Sequence, residues 1–355
     1  MKKIVFLPLF FACACILSGY EEEVTFENSG VTFGGTLALP DSVGRFPALV
    51  LVSGSGQQNR DSELFGFKSF KMLSDSHVRN GFAVLRYDDR GIACSASGKS
   101  TLDTSTTYTF ANDALCAIRF LKTNEHINAD KVGILGHSEG GLIADYLAAE
   151  HPSEIAFTIL MAGPTVSAKK IVDFQVVDAN KRAGLNDEEL ERVLSFQHRI
   201  YKAIEENQSR DSLVEILYES NLVAINFMPE EQRKSILDSS KYARFLAMQS
   251  VKSINSDWFR AFIQFKPEQY QRKINCPTLA LFGEKDHQVP PSLNLDAIKS
   301  AFSDRPELLT INIIKDANHL FQKADTGTSD EYAKLKPEFA PGFFDAITSF
   351  LNKLK

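Results

Sequence analysis

Gly136-His137-Ser138-Glu139-Gly140 sets a serine between two glycines where the apolar run Lys131 to Leu135 gives way to the helix-forming stretch Leu142 to Ala149. A strand that turns this sharply into a helix forces its central residue into strained backbone angles, so the positions two before and two after must lack bulk. Gly136, Gly140 and Gly141 meet that need. The geometry holds a hydroxyl clear of the sheet, beside the Glu139 N–H at the start of a helix, where partial positive charge favours an oxyanion. A serine hydroxyl is unreactive at neutral pH until a base takes its proton. The pentapeptide therefore needs partners elsewhere in the chain.

Those partners are expected later in chain order, each just past a strand. Asp286 follows the apolar run Pro277 to Phe282, and His319 follows Leu308 to Ile314 after a short turn. In such a set His319 accepts the serine proton during attack on a carbonyl and returns it to the leaving group. Asp286 holds the imidazole in the required tautomer. The reaction calls for no cofactor and no metal. His137 adjoins the serine, but neighbouring residues point apart, so it is expected to pack into the sheet. His287 stands too close to Asp286 to fold back on it. His77, His126, His151 and His198 fall on helices or their ends. A second oxyanion donor is expected in the glycine-rich loop Ser53-Gly54-Ser55-Gly56, with the Ser55 N–H as the candidate. The absence of a Gly-Lys-Ser/Thr ending removes a phosphate-cradling role for that loop.

These residues need a scaffold of alternating strands and helices. Val24 to Asn28 and Val31 to Leu39 read as an antiparallel hairpin at a sheet edge, joined through Ser29-Gly30. Phe46 to Val52 and Gly81 to Tyr87 are nearly continuous apolar runs, as expected for strands covered on both faces. Helical spacing covers Phe67 to Asn80 and Tyr108 to Thr123, and Ile155 to Met161 reads as a further strand. Such alternation implies a mainly parallel sheet with ligands beyond the carboxyl ends of its strands. From about Val166 to Lys273 strand signals vanish. Leu190, Val193, Leu194, Ile200, Tyr201 and Ile204 share one helical face, and Asn186-Asp187-Glu188-Glu189 caps a helix start. A final helix is expected from Gly342 to Leu354.

The chain has 355 residues, 44% hydrophobic and 24% charged, with a net charge of −6 and no basic run. That balance suits a globular protein and argues against nucleic acid as partner. Lys2-Lys3, the apolar run Ile4 to Leu17 and the exit Ser18-Gly19 have the build of a secretory signal peptide, and the run is short for a membrane span. Export is therefore expected, to the periplasm or envelope of a bacterium. Cys13 and Cys15 match a lipoprotein cleavage box poorly, so release ranks above lipid anchoring. Cys94, Cys116 and Cys276 remain, and three buried thiols are expected.

The order of strands, the serine elbow, the late Asp286 and His319 and the long helical insertion resemble the α/β-hydrolase superfamily. Ser53 to Asp61, Arg86-Tyr87-Asp88-Asp89-Arg90-Gly91 and Asn318-His319-Leu320-Phe321 look like the exported bacterial esterase group near dienelactone hydrolases and serine aminopeptidases. Ala93 stands at the second glycine place of the group's Asp-x-Arg-Gly-x-Gly-x-Ser pattern, and Ser53 replaces a common histidine. The pattern along the chain gives a leader at 1–19, a hydrolase core at 20–165 and 274–355, and a helical insertion at 166–273 that the resemblance implies is a cap. The resemblance also implies a serine acyl-hydrolase, here expected to act on small acyl esters, with an aminopeptidase or amidase on the same triad as the alternative; a catalytically dead binding protein is a third reading that the intact Ser138, Asp286 and His319 argue against. Trp258, Phe262 and Phe265 share a helical face that suits either packing within the cap or an acyl pocket above Ser138. The cap's Glu188, Glu189, Glu191, Glu205, Glu206, Glu230 and Glu231 read as solvated charge rather than an amine-binding set.

Overall fold

The computed structural model describes residues 19–355. Nearly all of the predicted leader, with Cys13 and Cys15, lies outside the described residues. The chain opens with β1 (Tyr20–Asn28) and β2 (Val31–Leu39), an antiparallel pair. The other strands of the main sheet are β3 (Phe46–Val52), β6 (Ala83–Tyr87), β7 (Ile127–His137), β8 (Thr158–Met161), β9 (Thr278–Gly283) and β10 (Leu309–Ile314). β4 (Glu63–Leu64) and β5 (Phe67–Lys68) form a small separate ribbon. The main sheet runs β1-β2-β6-β3-β7-β8-β9-β10, and from β6 onward every neighbouring pair is parallel.

β3, β6, β8 and β9 are buried almost throughout, which explains why their sequences run apolar without alternation. One face of the sheet is covered by α2 (Thr107–Lys122), α3 (Glu139–Glu150) and α11 (Pro291–Ala301), which join its strands in one apolar cluster. The other is covered by α1 (Ser69–Arg79) and α12 (Phe343–Leu351), with Phe67, Phe70, Phe339 and Phe343 among the packing residues. Ser105 ends a 3-10 segment over residues 93–104, and Thr106 then caps α2 through a reciprocal box with Thr109.

Between β8 and β9 the chain is helical. α4 (Ala168–Arg182), α5 (Asp187–Glu205), α6 (Arg210–Phe227), α7 (Glu230–Lys234), α8 (Ser239–Ile254), α9 (Asp257–Gln264) and α10 (Pro267–Gln271) follow in order. Asn186 and Glu189 form the capping box at the head of α5. Ile200, Tyr201 and Ile204 then join Leu213, Leu217, Val251 and Ile263 in a cluster separate from the two beside the sheet.

Three expectations are corrected. Phe67 and Lys68 pair with β4, so the helix expected from Phe67 starts at Ser69. The strand expected from Ile155 begins at Thr158, because Ile155 and Phe157 fill the core from an irregular approach. Of the three thiols expected to be buried, Cys276 alone is. Cys94 is exposed and Cys116 intermediate, and all three are free.

Candidate active site

Ser138 sits between the last residue of β7 and the first of α3, at φ 55° and ψ −118°. A side chain with a Cβ pays for such angles, and the surrounding contacts must hold it there. Its N–H donates to the Met161 carbonyl at 2.9 Å, and its own carbonyl accepts from Gly141 N at 2.8 Å. The flanking glycines leave no alternative: a Cβ on Gly136 would lie 1.9 Å from the Gly140 oxygen, and one on Gly140 would lie 2.3 Å from the Val52 oxygen. The Glu139 N–H belongs to the first turn of α3, whose N–H groups have no partner within the helix.

Asp286 follows β9 and His319 follows β10, and the two are adjacent. His319 Nδ1 lies 2.8 Å from Asp286 Oδ2. Asp286 Oδ1 accepts from the N–H groups of Gln288 and Val289 at 2.7 and 2.9 Å. Burial pushes this carboxyl up, but His319 and the two N–H groups outweigh it and hold Asp286 below its ordinary range. Gly283 lets the two loops meet, since a Cβ there would come within 2.5 Å of the Asn318 oxygen. Beneath them His137 is buried, and its ring lies 4.9 Å from that of His319. Burial and the neighbouring imidazole lower its pKa to about 3. The neutral ring therefore carries its proton on Nε2 and donates to the His319 carbonyl at 3.0 Å. Ser138 Oγ makes no side-chain hydrogen bond among the described residues, so its hydroxyl is not yet committed to a partner.

The loop after β3 is tied down on both sides of Gly54. The Ser53 hydroxyl lies 2.7 Å from Asp89 Oδ2, which also accepts the Gln58 N–H at 2.8 Å. The Ser55 hydroxyl donates to Glu139 Oε2 at 2.8 Å. Glu139 Oε1 takes two further donors, the Thr107 hydroxyl at 2.7 Å and Trp258 Nε1 at 2.9 Å. The Ser55 N–H has no partner among the described residues. Burial raises Glu139 above its ordinary range against those hydrogen bonds, and raises Asp89 to about 7.

A cavity of about 360 Å³ opens beside this loop, with Gly54, Ser55, Asp89, Tyr87, Phe110, Glu139 and Trp258 in its wall. Ser138, Asp286 and His319 lie outside the wall itself, although Glu139 and Gly54 adjoin the serine. Of the aromatic face predicted for α9, Trp258 alone reaches the cavity. Phe262 stacks on Trp258 at 5.2 Å, and Phe265 is buried against Tyr108 and Tyr270. Phe265 ends the helix as its C-cap, in extended backbone, so the i+7 spacing no longer holds it on the same face. None of the cap glutamates considered as an amine-binding set lines the cavity, and most are exposed.

A family model for the α/β-hydrolase fold matches residues 47–325. This chain belongs to the α/β-hydrolase family. The chain is 24% identical over 322 residues to esterase EstD of Thermotoga maritima, covering 90% of this chain and 66% of EstD. It thus spans about two thirds of that relative's length. Among solved structures, the Pyrococcus furiosus esterase Pf2001 superposes with a TM-score of 0.56 at 14% identity, covering 95% of this chain and 92% of its own. The α/β hydrolase GrgF from Penicillium gives a TM-score of 0.51 at 16% identity, over 94% and 96% of the two chains.

Within this fold the chain carries features that its sequence did not reveal. The side chains of Glu139 and Asp89 and the Thr107 hydroxyl all touch the elbow or the loop beside it, while His137 is buried as expected. A signal existed for two of them. Glu139 is the residue after the candidate nucleophile, and Asp89 lies within the Asp88-Asp89-Arg90-Gly91 run. Ala93, at the second glycine place, keeps a positive φ of 45° without being glycine.

Proposed function

We propose that this chain is a serine esterase that works through an acyl-enzyme. Ser138 attacks the acyl carbonyl as its proton passes to His319 Nε2, the ring nitrogen left free by the bond from Nδ1 to Asp286. The tetrahedral oxyanion is held by the N–H groups of Ser55 and Glu139. Collapse expels the alcohol, which takes the proton from His319, and water then repeats the sequence to release the acid. The observation that carries this reading is the buried Asp286–His319 pair, joined through the His319 carbonyl to His137, the residue before a serine at φ 55°. Esterase EstD and the Pf2001 fold support the ester class. In the same reading the helices of 166–273 cap the site, and residues 1–19 direct export to the cell envelope, with release ahead of lipid anchoring.

The test is a set of p-nitrophenyl acyl esters of rising chain length beside aminoacyl anilides, with fluorophosphonate labelling of the same protein. Wild type hydrolyses the esters faster and is labelled at Ser138. Ser138→Ala loses both, and His319→Ala loses several powers of ten in kcat/KM. An unlabelled wild type, or faster anilides, would overturn the assignment.

A further inference from the structure

Asp89 and Glu139 pose a question that loop positioning does not answer. Glu139 is buried and Asp89 half-buried on the wall of one cavity, and both accept hydrogen bonds from neutral donors only: Ser53 and Gln58 for Asp89, Ser55, Thr107 and Trp258 for Glu139. Their acidic neighbours are treated differently. Asp113 is matched by Arg90, with bonds of 2.9 and 2.5 Å, and Asp88 by Arg60 at 2.8 Å. No lysine, arginine or histidine among the described residues pairs with Asp89 or Glu139.

Holding a serine hydroxyl requires an acceptor and nothing more. An asparagine, a glutamine or a backbone carbonyl supplies one without the cost of desolvating a carboxylate. The negative charge is therefore unexplained by the loop. A cation from outside accounts for it, and the wall suits one: Tyr87, Phe110 and Trp258 present aromatic rings, and the one guanidinium in the wall, Arg90, is already held by Asp113.

We infer that this cavity receives a quaternary or protonated ammonium group of the substrate, seated between Asp89 and Glu139 beside the aromatic wall. The inference deepens the esterase reading and rests on it. The substrate is then an acyl ester that carries a cationic nitrogen in its acyl or its alcohol part.

Two pairs of isosteric esters test this from both ends of the scissile bond. Butyrylcholine is compared with 3,3-dimethylbutyl butyrate, and phenyl 4-(trimethylammonio)butanoate with phenyl 5,5-dimethylhexanoate. Shape is constant within each pair, so the ratio of kcat/KM reads charge alone. Wild type is expected to favour the cationic member of at least one pair by about tenfold. Asp89→Asn and Glu139→Gln keep acceptors for the serine hydroxyls and are expected to pull that ratio toward one, whatever they do to the absolute rates. Ratios near one in wild type for both pairs, with the neutral esters turned over, would overturn the inference and leave the esterase standing. A preference unchanged in both variants would overturn it as well. No hydrolysis of any ester, with Ser138 unlabelled by fluorophosphonate, would remove the esterase reading itself. Should a variant fail to fold, wild-type labelling decides: tetraethylammonium slows it at concentrations where neopentyl alcohol does not, or the inference falls.

Discussion

Gly54 stands where one methyl group would reach the candidate nucleophile. A Cβ there would lie 3.0 Å from Ser138 Cβ and 3.3 Å from the His137 oxygen, tighter than ordinary contact but short of a backbone collision. Gly54→Ala is therefore expected to push the serine and the oxyanion loop apart by a few tenths of an ångström while the fold survives. Displacements of that size matter in a preorganised site. Kinetics on a short acyl ester should register a fall in kcat/KM of about tenfold or more, with Tm within a few degrees of wild type. Gly136→Ala makes the contrast, since its Cβ would sit 1.9 Å from backbone oxygen and no side chain can yield. That variant should fail in soluble expression rather than in catalysis alone.

At the scale of elements, the site is a meeting of segments distant in sequence. α9 reaches α3 through one hydrogen bond pair, Trp258 Nε1 to Glu139, and α4 reaches the loop after β9 through Asp178 to His287 and Gln175 to the Gln288 carbonyl. Trp258→Phe keeps an aromatic ring but removes the donor to a buried carboxylate, so α9 should detach more readily. Hydrogen exchange across residues 257–264 is expected to quicken, and KM for the ester to rise several-fold with a smaller change in kcat. Unaltered exchange there would mean that the packing of Phe259 and Ile263 in the helical cluster is enough to hold the helix. The same distances explain what could be read in advance. The elbow was legible because Gly136, Gly140 and Gly141 act within a few residues, and the order of Ser138, Asp286 and His319 follows from strands whose apolar runs are continuous. The part played by the Glu139 side chain was not legible, since its partners lie 32, 84 and 119 residues away. Phe265 leaves the face of Trp258 because the helix ends there, and the spacing argument applies only inside a helix.

Across the molecule, buried charge makes stability depend on pH in two opposed senses. Asp286 is held below its ordinary range, so its contribution is complete above that range and is lost as pH falls through its depressed value. Asp89 works the other way. Burial, with the Glu139 and Asp88 carboxylates facing it, raises it from an ordinary 3.8 to about 7 against the Ser53 hydroxyl and the Gln58 N–H. Between those values the folded protein keeps a proton that the unfolded chain has released, so stability falls as pH rises from about 4 to 7 and then levels off. Asp89→Asn cannot ionise and escapes that decline. The difference in Tm between Asp89→Asn and wild type should therefore be more positive at pH 8 than at pH 4.5, and equal differences would mean that Asp89 ionises as an ordinary surface acid does. A cation seated beside the ionised carboxylate would offset the same penalty. Tetramethylammonium should then raise the wild-type Tm at pH 8 by more than sodium at equal ionic strength, and the excess should vanish in Asp89→Asn, because only a group that binds the folded state shifts the transition.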